Sequence, residues 1–361
     1  MTTLINLQKC DVKSDFGATG NGSTVDTTAI QNAINSLGSI GGIVYFPQGT
    51  YLTDTLYVPS NVTLLGYDKY STILQLVNSP TGSLVDCSGS ISSVKSRMRF
   101  QNLTFQHNQY FTKNGELKGV LLRGYYTKDV QVVNCVFREC SVYGILISQI
   151  DSNNTYADSW IIDKCDFYNF ANSTWGVFCY DQGEYVKILN SKFHQLNGGA
   201  VQTSDSANAL ISGNTFLQCG NSVYAYPTIN IICSSSSING GKATICDNKI
   251  NHNKYMAVKL IYNGKNTQYG CHLINNDILI NEGHSNNPVG LHGANGCVVT
   301  GNKISAGSLY KSGCIYLADN VSPADYNVIA NNIFMFAGIN STACSGTHNN
   351  ISNNIVDTTQ G

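Results

Sequence analysis

The segment Val130-Gln-Val-Val-Asn-Cys-Val-Phe137 returns, with changes, as Val186-Lys-Ile-Leu-Asn-Ser-Lys-Phe193 and as Cys297-Val-Val-Thr-Gly-Asn-Lys-Ile304. Each copy is a short apolar run, a polar turn that contains Asn or Ser, and an aromatic or Ile anchor. The anchors lie about 22 to 34 residues apart, a spacing typical of solenoid repeats. They are Phe105, Phe137, Phe167, Phe193, Phe216, Ile250, Ile278, Ile304, Phe334 and Val356.

The repeated runs predict strands rather than helices. They are three to five residues long and rich in β-branched residues, and the Asn and Gly between them favour tight turns. Strands of this length that turn a corner and stack on the equivalent strand of the next coil form a parallel β-solenoid. The sequence therefore predicts an all-β fold of ten or more coils, with Asn ladders at the turns.

One segment has a helical period instead. Ile30, Ala33, Ile34 and Leu37 fall on one face of a helix predicted over 27–37, with Asp26 as the N-cap and Gly38 as the stop. A helix placed before a solenoid can cap its first open coil. We expect a single domain over 1–361, with the cap and first coils in 1–66 and the remaining coils in 67–361.

The composition excludes several classes of protein. Hydrophobic residues make up 42% of the chain and charged residues 12%, and the formal net charge is −1. This balance excludes disorder and makes nucleic acid an unexpected partner. No run approaches the ~18 apolar residues of a membrane span. The first residues lack the features of a signal peptide, so we expect an absent leader or another route of export.

The N-terminal residues carry a family resemblance. Asp15-Phe-Gly-Ala-Thr-Gly-Asn-Gly22, Asp26-Thr-Thr-Ala-Ile-Gln31, Gly41-Gly42, Phe46-Pro-Gln-Gly-Thr-Tyr51 and Leu64-Leu-Gly66 resemble the signature of the pectate-lyase-like superfamily. Its members are single-stranded, right-handed parallel β-helices and include polygalacturonase-type hydrolases, polysaccharide lyases, alginate epimerases and phage tailspike depolymerases. The resemblance implies a polysaccharide partner, an extracellular or virion location, and a homotrimer as one oligomeric state.

Enzymes of this superfamily bind substrate on the outer face of one strand ladder. Here the candidate ladder consists of the strands that follow the Gly of each repeat. Strand alternation predicts a row of outward side chains along it: Arg123, Ser148, Tyr180, Thr203, Asn230, Lys259, His292 and Tyr316. Tyr262 and Trp175 lie on or beside the ladder, and we expect the aromatic residues to contact sugar rings.

Carboxylates one coil apart favour glycoside hydrolysis. Asp181 and Asp205 are the predicted acid and base, Glu184 is a reserve carboxylate, and Lys259 is the predicted basic member of the site. Their order resembles that of polygalacturonases, although Thr228-Ile-Asn230 replaces the expected Gly-His-Gly. Both Asp residues also end strands, where Asp commonly forms turns. The sequence predicts no metal ligands and no cofactor for a hydrolase.

Two alternatives remain open. A polysaccharide lyase would use Lys259, Arg123 or His292 on a uronic acid, with Ca²⁺ as its cofactor. An epimerase is disfavoured, because Tyr143-Gly-Ile-Leu-Ile-Ser148 stands where alginate epimerases carry Asp-Pro-His-Glu. A non-catalytic solenoid would bind glycan through the same aromatic residues.

Overall fold

The computed structural model describes residues 8–77, 82–107, 112–113, 116–117, 119–148, 158–170, 174–180, 184–204, 208–221, 225–233, 242–253, 255–262, 270–280, 287–306, 313–320 and 323–357. Within these ranges, strands form three long parallel sheets of 13, 13 and 11 strands. Each strand pairs with the equivalent strand of the next coil, which is the pairing of a parallel β-helix. At ~4.8 Å per coil, the rod is about 60 Å long.

Sheet A begins near the N-terminus and contains Lys9–Asp11, Gly42–Phe46, Val62–Gly66, Lys95–Gln101, Thr127–Val133, Asp158–Asp163, Glu184–Leu189, Ala209–Ser212, Ala243–Cys246, His272–Ile274, Val298–Thr300, Val328–Ala330 and Asn350–Ser352. Sheet B follows it in each coil and contains Asn21–Val25, Gly49–Thr53, Thr72–Leu76, Thr104–His107, Val136–Arg138, Asp166–Phe170, Lys192–Leu196, Thr215–Leu217, Lys249–Asn253, Asp277–Ile280, Lys303–Ser305, Ile333–Met335 and Ile355–Asp357.

Sheet C completes the coils and contains Leu56–Tyr57, Ser83–Asp86, Val120–Tyr125, Tyr143–Ser148, Trp175–Tyr180, Gly199–Ser204, Ile229–Cys233, Val258–Tyr262, Val289–His292, Ile315–Ala318 and Ile339–Ala343. A separate antiparallel pair joins Thr112–Lys113 to Glu116–Leu117. None of the described residues forms a helix long and apolar enough to cross a membrane.

The predicted anchors form one continuous inward ladder of sheet B. Every anchor pairs in register with the next, from Phe105 to Val356. Phe137 and Phe167 stack with ring centroids 4.9 Å apart, and Phe167 and Phe193 stack at 4.5 Å. Because nine anchors are almost completely buried, they form the centre of the core, whereas Val356 in the last described coil is 49% exposed.

A ladder of buried Asn side chains joins sheet A to sheet B in the C-terminal coils. Each Nδ2 group donates to the Oδ1 atom of the next rung at 2.9 to 3.0 Å. From Asn248 onward, each Oδ1 atom also accepts the backbone N–H of the preceding rung. The rungs are Asn214, Asn248, Asn276, Asn302, Asn332 and Asn354. The ladder satisfies polar groups that would otherwise be buried without partners.

The helix spans Thr27–Ser36 and buries Ile30, Ala33 and Ile34 against the first coils. It stops before Gly38, whose φ of +54° is a left-handed conformation that suits glycine. The N-cap is Asp26, as predicted. Asp26 precedes the helix, but its carboxylate makes no side-chain capping bond and instead accepts the backbone N–H groups of Thr19 and Gly20 at 2.7 and 2.9 Å. Asp26 therefore anchors the preceding loop.

Candidate functional site

The side chains of sheet C form two rows that face outward, and the rows that alternate with them belong to the core. The central row runs along the rod in register through Asp86, Arg123, Leu146, Phe178, Gln202, Asn230, Lys259, Gly290 and Tyr316. The second row lies two residues further along each strand and includes Tyr125, Ser148, Tyr180, Ile261 and His292. Four predicted residues, Arg123, Asn230, Lys259 and Tyr316, therefore lie in the central row, and three, Ser148, Tyr180 and His292, lie in the second, where Ser148 is only 5% exposed.

Two residues that the sequence predicts to face outward or to contact sugar, Thr203 and Tyr262, are buried instead. Thr203 pairs in register with Cys179 and Ile231 and is 1% exposed, because it belongs to an inward row. Tyr262 is 3% exposed in the core, where its hydroxyl donates to Cys271 Sγ at 3.2 Å. The sequence prediction for these side chains is corrected: neither faces a substrate groove.

Trp175 also requires correction as a sugar-contacting residue. Its side chain is 4% exposed and its ring lies 5.5 Å from the ring of Tyr226, edge to face. A Cβ atom at Gly199, its partner on the next coil, would lie 1.9 Å from the indole, so the ring fills the space above that glycine. The indole packs within the protein and offers no free face to a sugar.

The predicted carboxylate pair, Asp181 and Asp205, lies outside the described residues. Glu184 begins the sheet A strand Glu184–Leu189 and pairs in register with Asp158, so its backbone belongs to a different sheet from the central row. The acid, base and reserve roles of these three residues remain predictions.

Arg123 forms an ion pair with Asp86, its partner on the preceding coil. Burial alone would raise the pKa of Asp86, but the bonds from Arg123 and Ser88 outweigh it and hold that pKa below its usual value. The Arg123 guanidinium also lies 5.4 Å from the centre of the Tyr125 ring. The charge of Arg123, which the sequence assigned to substrate, is therefore neutralised by an acid that the sequence analysis missed.

Lys259 is the contrasting cation of the central row. It is partly buried, and no carboxylate among the described residues lies within ion-pair distance. Burial lowers its pKa below the ordinary lysine value, because desolvation disfavours the charged form. In register, its neighbours are Asn230 on one coil and Gly290 on the other. The absence of a Cβ at Gly290 leaves space beside the lysine.

His292 fills that space. Its Nε2 atom lies 2.8 Å from where a Cβ atom of Gly290 would stand, so the ring folds back from the second row over the central row. Burial, and secondarily the charge of Lys259, lowers the pKa of His292 to about 4. The imidazole is therefore neutral at pH 7, and its buried Nε2 atom has no hydrogen-bond partner among the described residues. The Tyr316 ring lies 5.6 Å away, centre to centre.

Amide side chains extend the row on the other side of Lys259. Asn230 is 7% exposed and its Nδ2 group donates to Gln202 Oε1 at 3.0 Å. The buried Asn230 Oδ1 atom has no partner within the described part of the chain. Gln202 in turn donates to Ser204 Oγ at 3.3 Å. Sequence reasoning missed Gln202, because it assigned the outward position to Thr203.

An aromatic cluster continues the two rows toward the N-terminus. The Phe178 ring lies 4.7 Å from the Tyr143 ring and 6.0 Å from the Tyr180 ring. Tyr180 is 47% exposed, and Phe178 is partly exposed. Phe178 and Lys259 are three coils apart in register, about 14 Å along the rod. Sheet C therefore carries an aromatic surface at one end of the site and, near the other, the ammonium group of Lys259, which has no ion-pair partner among the described residues.

No group of three His, Cys, Asp or Glu side chains among the described residues has the arrangement of a metal site. Around Lys259 the two outward rows offer amide and imidazole groups, which are poorer calcium ligands than carboxylates, and Asp86 in the central row is already paired with Arg123. Ca²⁺ as a lyase cofactor remains a prediction.

Comparison with known proteins agrees with this architecture. A family model described as rhamnogalacturonase A/epimerase, pectate lyase-like, matches residues 10–224. Alginate lyase 7 of Azotobacter vinelandii is 32% identical over 161 residues, which are 40% of this chain and 19% of that protein. The chain thus spans about a fifth of the length of this relative.

Solved structures give the same fold at low sequence identity. An exopolygalacturonase from Thermotoga maritima superposes with a TM-score of 0.64 and 12% identity, over 93% of this chain and 92% of that one. The ORF18 protein of Geobacillus virus E2 superposes with a TM-score of 0.62 and 17% identity, over 96% of this chain and 61% of that one. Both similarities concern the fold.

Proposed function

Because the chain belongs to the rhamnogalacturonase A/epimerase, pectate-lyase-like family, we propose that it acts on an acidic polysaccharide that lies along sheet C. One observation supports this proposal most strongly: Lys259 is partly buried on the outward face without a carboxylate partner among the described residues. A partly desolvated ammonium group is stabilised when an anion binds beside it. A sugar carboxylate is such an anion, and the relative named alginate lyase and the similar exopolygalacturonase have names that refer to acidic polymers.

The neighbours of Lys259 suit the other groups of a sugar. The Asn230 Oδ1 atom, which has no partner among the described residues, would accept a hydrogen bond from a sugar hydroxyl, and Gln202 adds a second amide on the preceding coil. Phe178 and Tyr180 offer apolar ring surface to the C–H face of a sugar about 14 Å away. The polymer would therefore run parallel to the rod axis and cross several coils.

For the reaction, we propose hydrolysis by Asp181 and Asp205, with Glu184 in reserve and Lys259 holding the substrate carboxylate. One carboxylic acid protonates the leaving glycosidic oxygen. The other carboxylate either activates water or attacks the sugar directly, depending on the distance between the two groups.

A second reaction, β-elimination, is favoured by the chemistry around Lys259. The lowered pKa of Lys259, which burial causes, brings the amine closer to the range in which it removes a proton. The base takes the C5 proton of a uronic acid, a C4–C5 double bond forms, and the C4–O bond breaks. The departing sugar oxygen then takes up a proton. Neutral His292 lies beside this base and accepts a hydrogen bond without adding a competing charge.

Incubation with polygalacturonate, alginate and a neutral glucan separates these reactions. A hydrolase releases reducing ends alone, whereas a lyase also produces the ultraviolet absorbance of an unsaturated uronide. Lys259→Met should abolish either activity, while Lys303→Met, which removes an exposed lysine on sheet B, should not. Binding without product would favour the non-catalytic alternative. If neither variant lost activity, the proposed site would be contradicted.

We also propose an extracellular or virion location, which the similarity to a viral protein supports. A homotrimer is part of the same proposal, and sedimentation of the purified chain would test it. Neither feature is needed for the chemistry at Lys259.

A further inference from the structure

A second ordered row of polar side chains lies on the outer face of sheet B. It occupies five successive coils in register and consists of Gln75, Gln106, Arg138, Tyr168 and His194. We call it the outer strip. Sheets B and C form different faces of the β-helix, so the outer strip is separate from the central row.

Direct contacts hold the outer strip in place. Gln106 Nε2 donates to Gln75 Oε1 at 2.8 Å, and Arg138 Nε donates to Gln106 Oε1 at 2.6 Å. Arg138 Nη1 donates to the Tyr168 hydroxyl at 3.1 Å, and the Tyr168 ring stacks on His194 with a centroid distance of 4.9 Å. Side chains fixed in this way lose little conformational entropy when a ligand binds.

The outer strip retains unused hydrogen-bonding capacity. Among the described residues, no group bonds to Arg138 Nη2, to the Nε2 atom of Gln75 or to the ring nitrogens of His194. Burial lowers the pKa of His194, so this imidazole is neutral at pH 7. These groups project from successive coils, and the strip spans about 19 Å along the rod.

The charge beside the outer strip favours an anion. Arg138 has no carboxylate within ion-pair distance in the described ranges. Asp166 lies two residues before Tyr168 in the neighbouring row, but its carboxylate already accepts hydrogen bonds from Lys69 Nζ at 2.9 Å and from the Tyr70 hydroxyl at 3.0 Å. Lys192 follows Asp166 in register and is exposed. Arg138 therefore gives the strip a positive charge without an ion-pair partner among the described residues, and Lys192 adds a second positive charge in the neighbouring row.

We propose that the outer strip is a second glycan-binding site, which holds a strand of acidic polysaccharide parallel to the rod while sheet C engages another segment. A sugar carboxylate would bind Arg138, and sugar hydroxyls would bind Gln75, Tyr168 and His194. The class of partner rests on the proposed function, but the site does not share any residue with it. Two sites on one rod would raise the overall affinity for a long polymer through effective concentration.

The test measures binding to polygalacturonate immobilised on a sensor surface. All variants carry Lys259→Met, so that binding through the cation of the central row is weakened and no activity is required. Arg138→Gln should weaken the residual binding about ten-fold, the usual effect of losing one charged hydrogen bond. Lys303→Gln is the matched control, because it removes an equal charge from the same sheet six coils away.

Two results would overturn the proposal. One is that the Lys259→Met chain retains no binding at all, and the other is that Arg138→Gln binds as strongly as Lys303→Gln. If Arg138→Gln does not fold, His194→Leu tests the same surface and should also weaken binding. Failure of the proposed function would give a different result from failure of the second site. The wild-type chain would then release no product, while the residual binding would still depend on Arg138.

Discussion

Replacement of Asn276 by Ala tests whether the buried Asn ladder holds the coils together. The Asn276 side chain accepts bonds from Asn248 N and Nδ2 at 3.1 and 3.0 Å. It donates to Ile245 O, Ile274 O and Asn302 Oδ1 at 2.9, 3.0 and 2.9 Å. Alanine removes all of these bonds and leaves at least two buried donors on Asn248 without acceptors.

Each buried group left without a partner costs about 1 to 3 kcal/mol. We therefore expect Asn276→Ala to lower the free energy of unfolding by about 3 to 5 kcal/mol, a large part of the ~5 to 15 kcal/mol typical of a folded domain. Urea denaturation followed by circular dichroism measures the total. Hydrogen exchange shows which coils are destabilised, because in a solenoid the effect should concentrate in the coils next to the missing rung.

Asn354→Ala is the matched comparison. Asn354 is the last rung, and its side chain makes bonds only with Asn332 N, Asn332 Nδ2 and Ile329 O among the described residues. The expected loss is correspondingly smaller, about 1 to 3 kcal/mol. If Asn276→Ala cost less than Asn354→Ala, or if both cost less than ~1 kcal/mol, the ladder would not stabilise the coils as argued.

Two further variants test individual side chains. Gly290→Ala should displace His292, because the new Cβ would lie 2.8 Å from Nε2. NMR titration should then show the His292 pKa rising from about 4 toward 6.5. The control Gly338→Ala, whose new Cβ has its nearest contact at 3.5 Å, should leave the His292 pKa unchanged. Burial lowers the pKa of His107 from 6.5 to about 4, so the unfolded chain binds a proton below pH 6.5 that the folded chain refuses. As the pH falls from 6.5 to 4, His107 should therefore lower the stability by up to about 3 kcal/mol, and His107→Leu should remove this part of the dependence in pH-series denaturation, while the part that comes from His292 remains.

The interior of the fold follows from the sequence because it repeats. Each anchor has the same neighbours in every coil, so its position depends on a local pattern that recurs ten times. The stacked Phe residues from Phe105 to Phe216 therefore appear where the repeat places them. Asp26 takes the predicted N-cap position, but its carboxylate makes no capping bond, because it is already bonded to the backbone N–H groups of Thr19 and Gly20.

The outward face was harder to predict, because it depends on the phase of each strand. The sequence analysis counted the outward position from the Gly of each repeat, but Gly199 pairs in register with Trp175 and not with Gly176. This difference of one residue moves the outward position from Thr203 to Gln202. The pairing of Arg123 with Asp86 joins residues 37 positions apart, and no local pattern announces it.

Titration of the purified chain with a galacturonate oligosaccharide, followed by isothermal calorimetry, tests the central claim most directly. If Lys259 holds a sugar carboxylate, Lys259→Met should weaken binding by about ten-fold or more, while Lys303→Met binds like the wild type. Raising the pH should weaken wild-type binding as Lys259 loses its proton, at a lower pH than an exposed lysine would, because burial lowers its pKa. Equal affinity of the wild type and Lys259→Met would contradict the account.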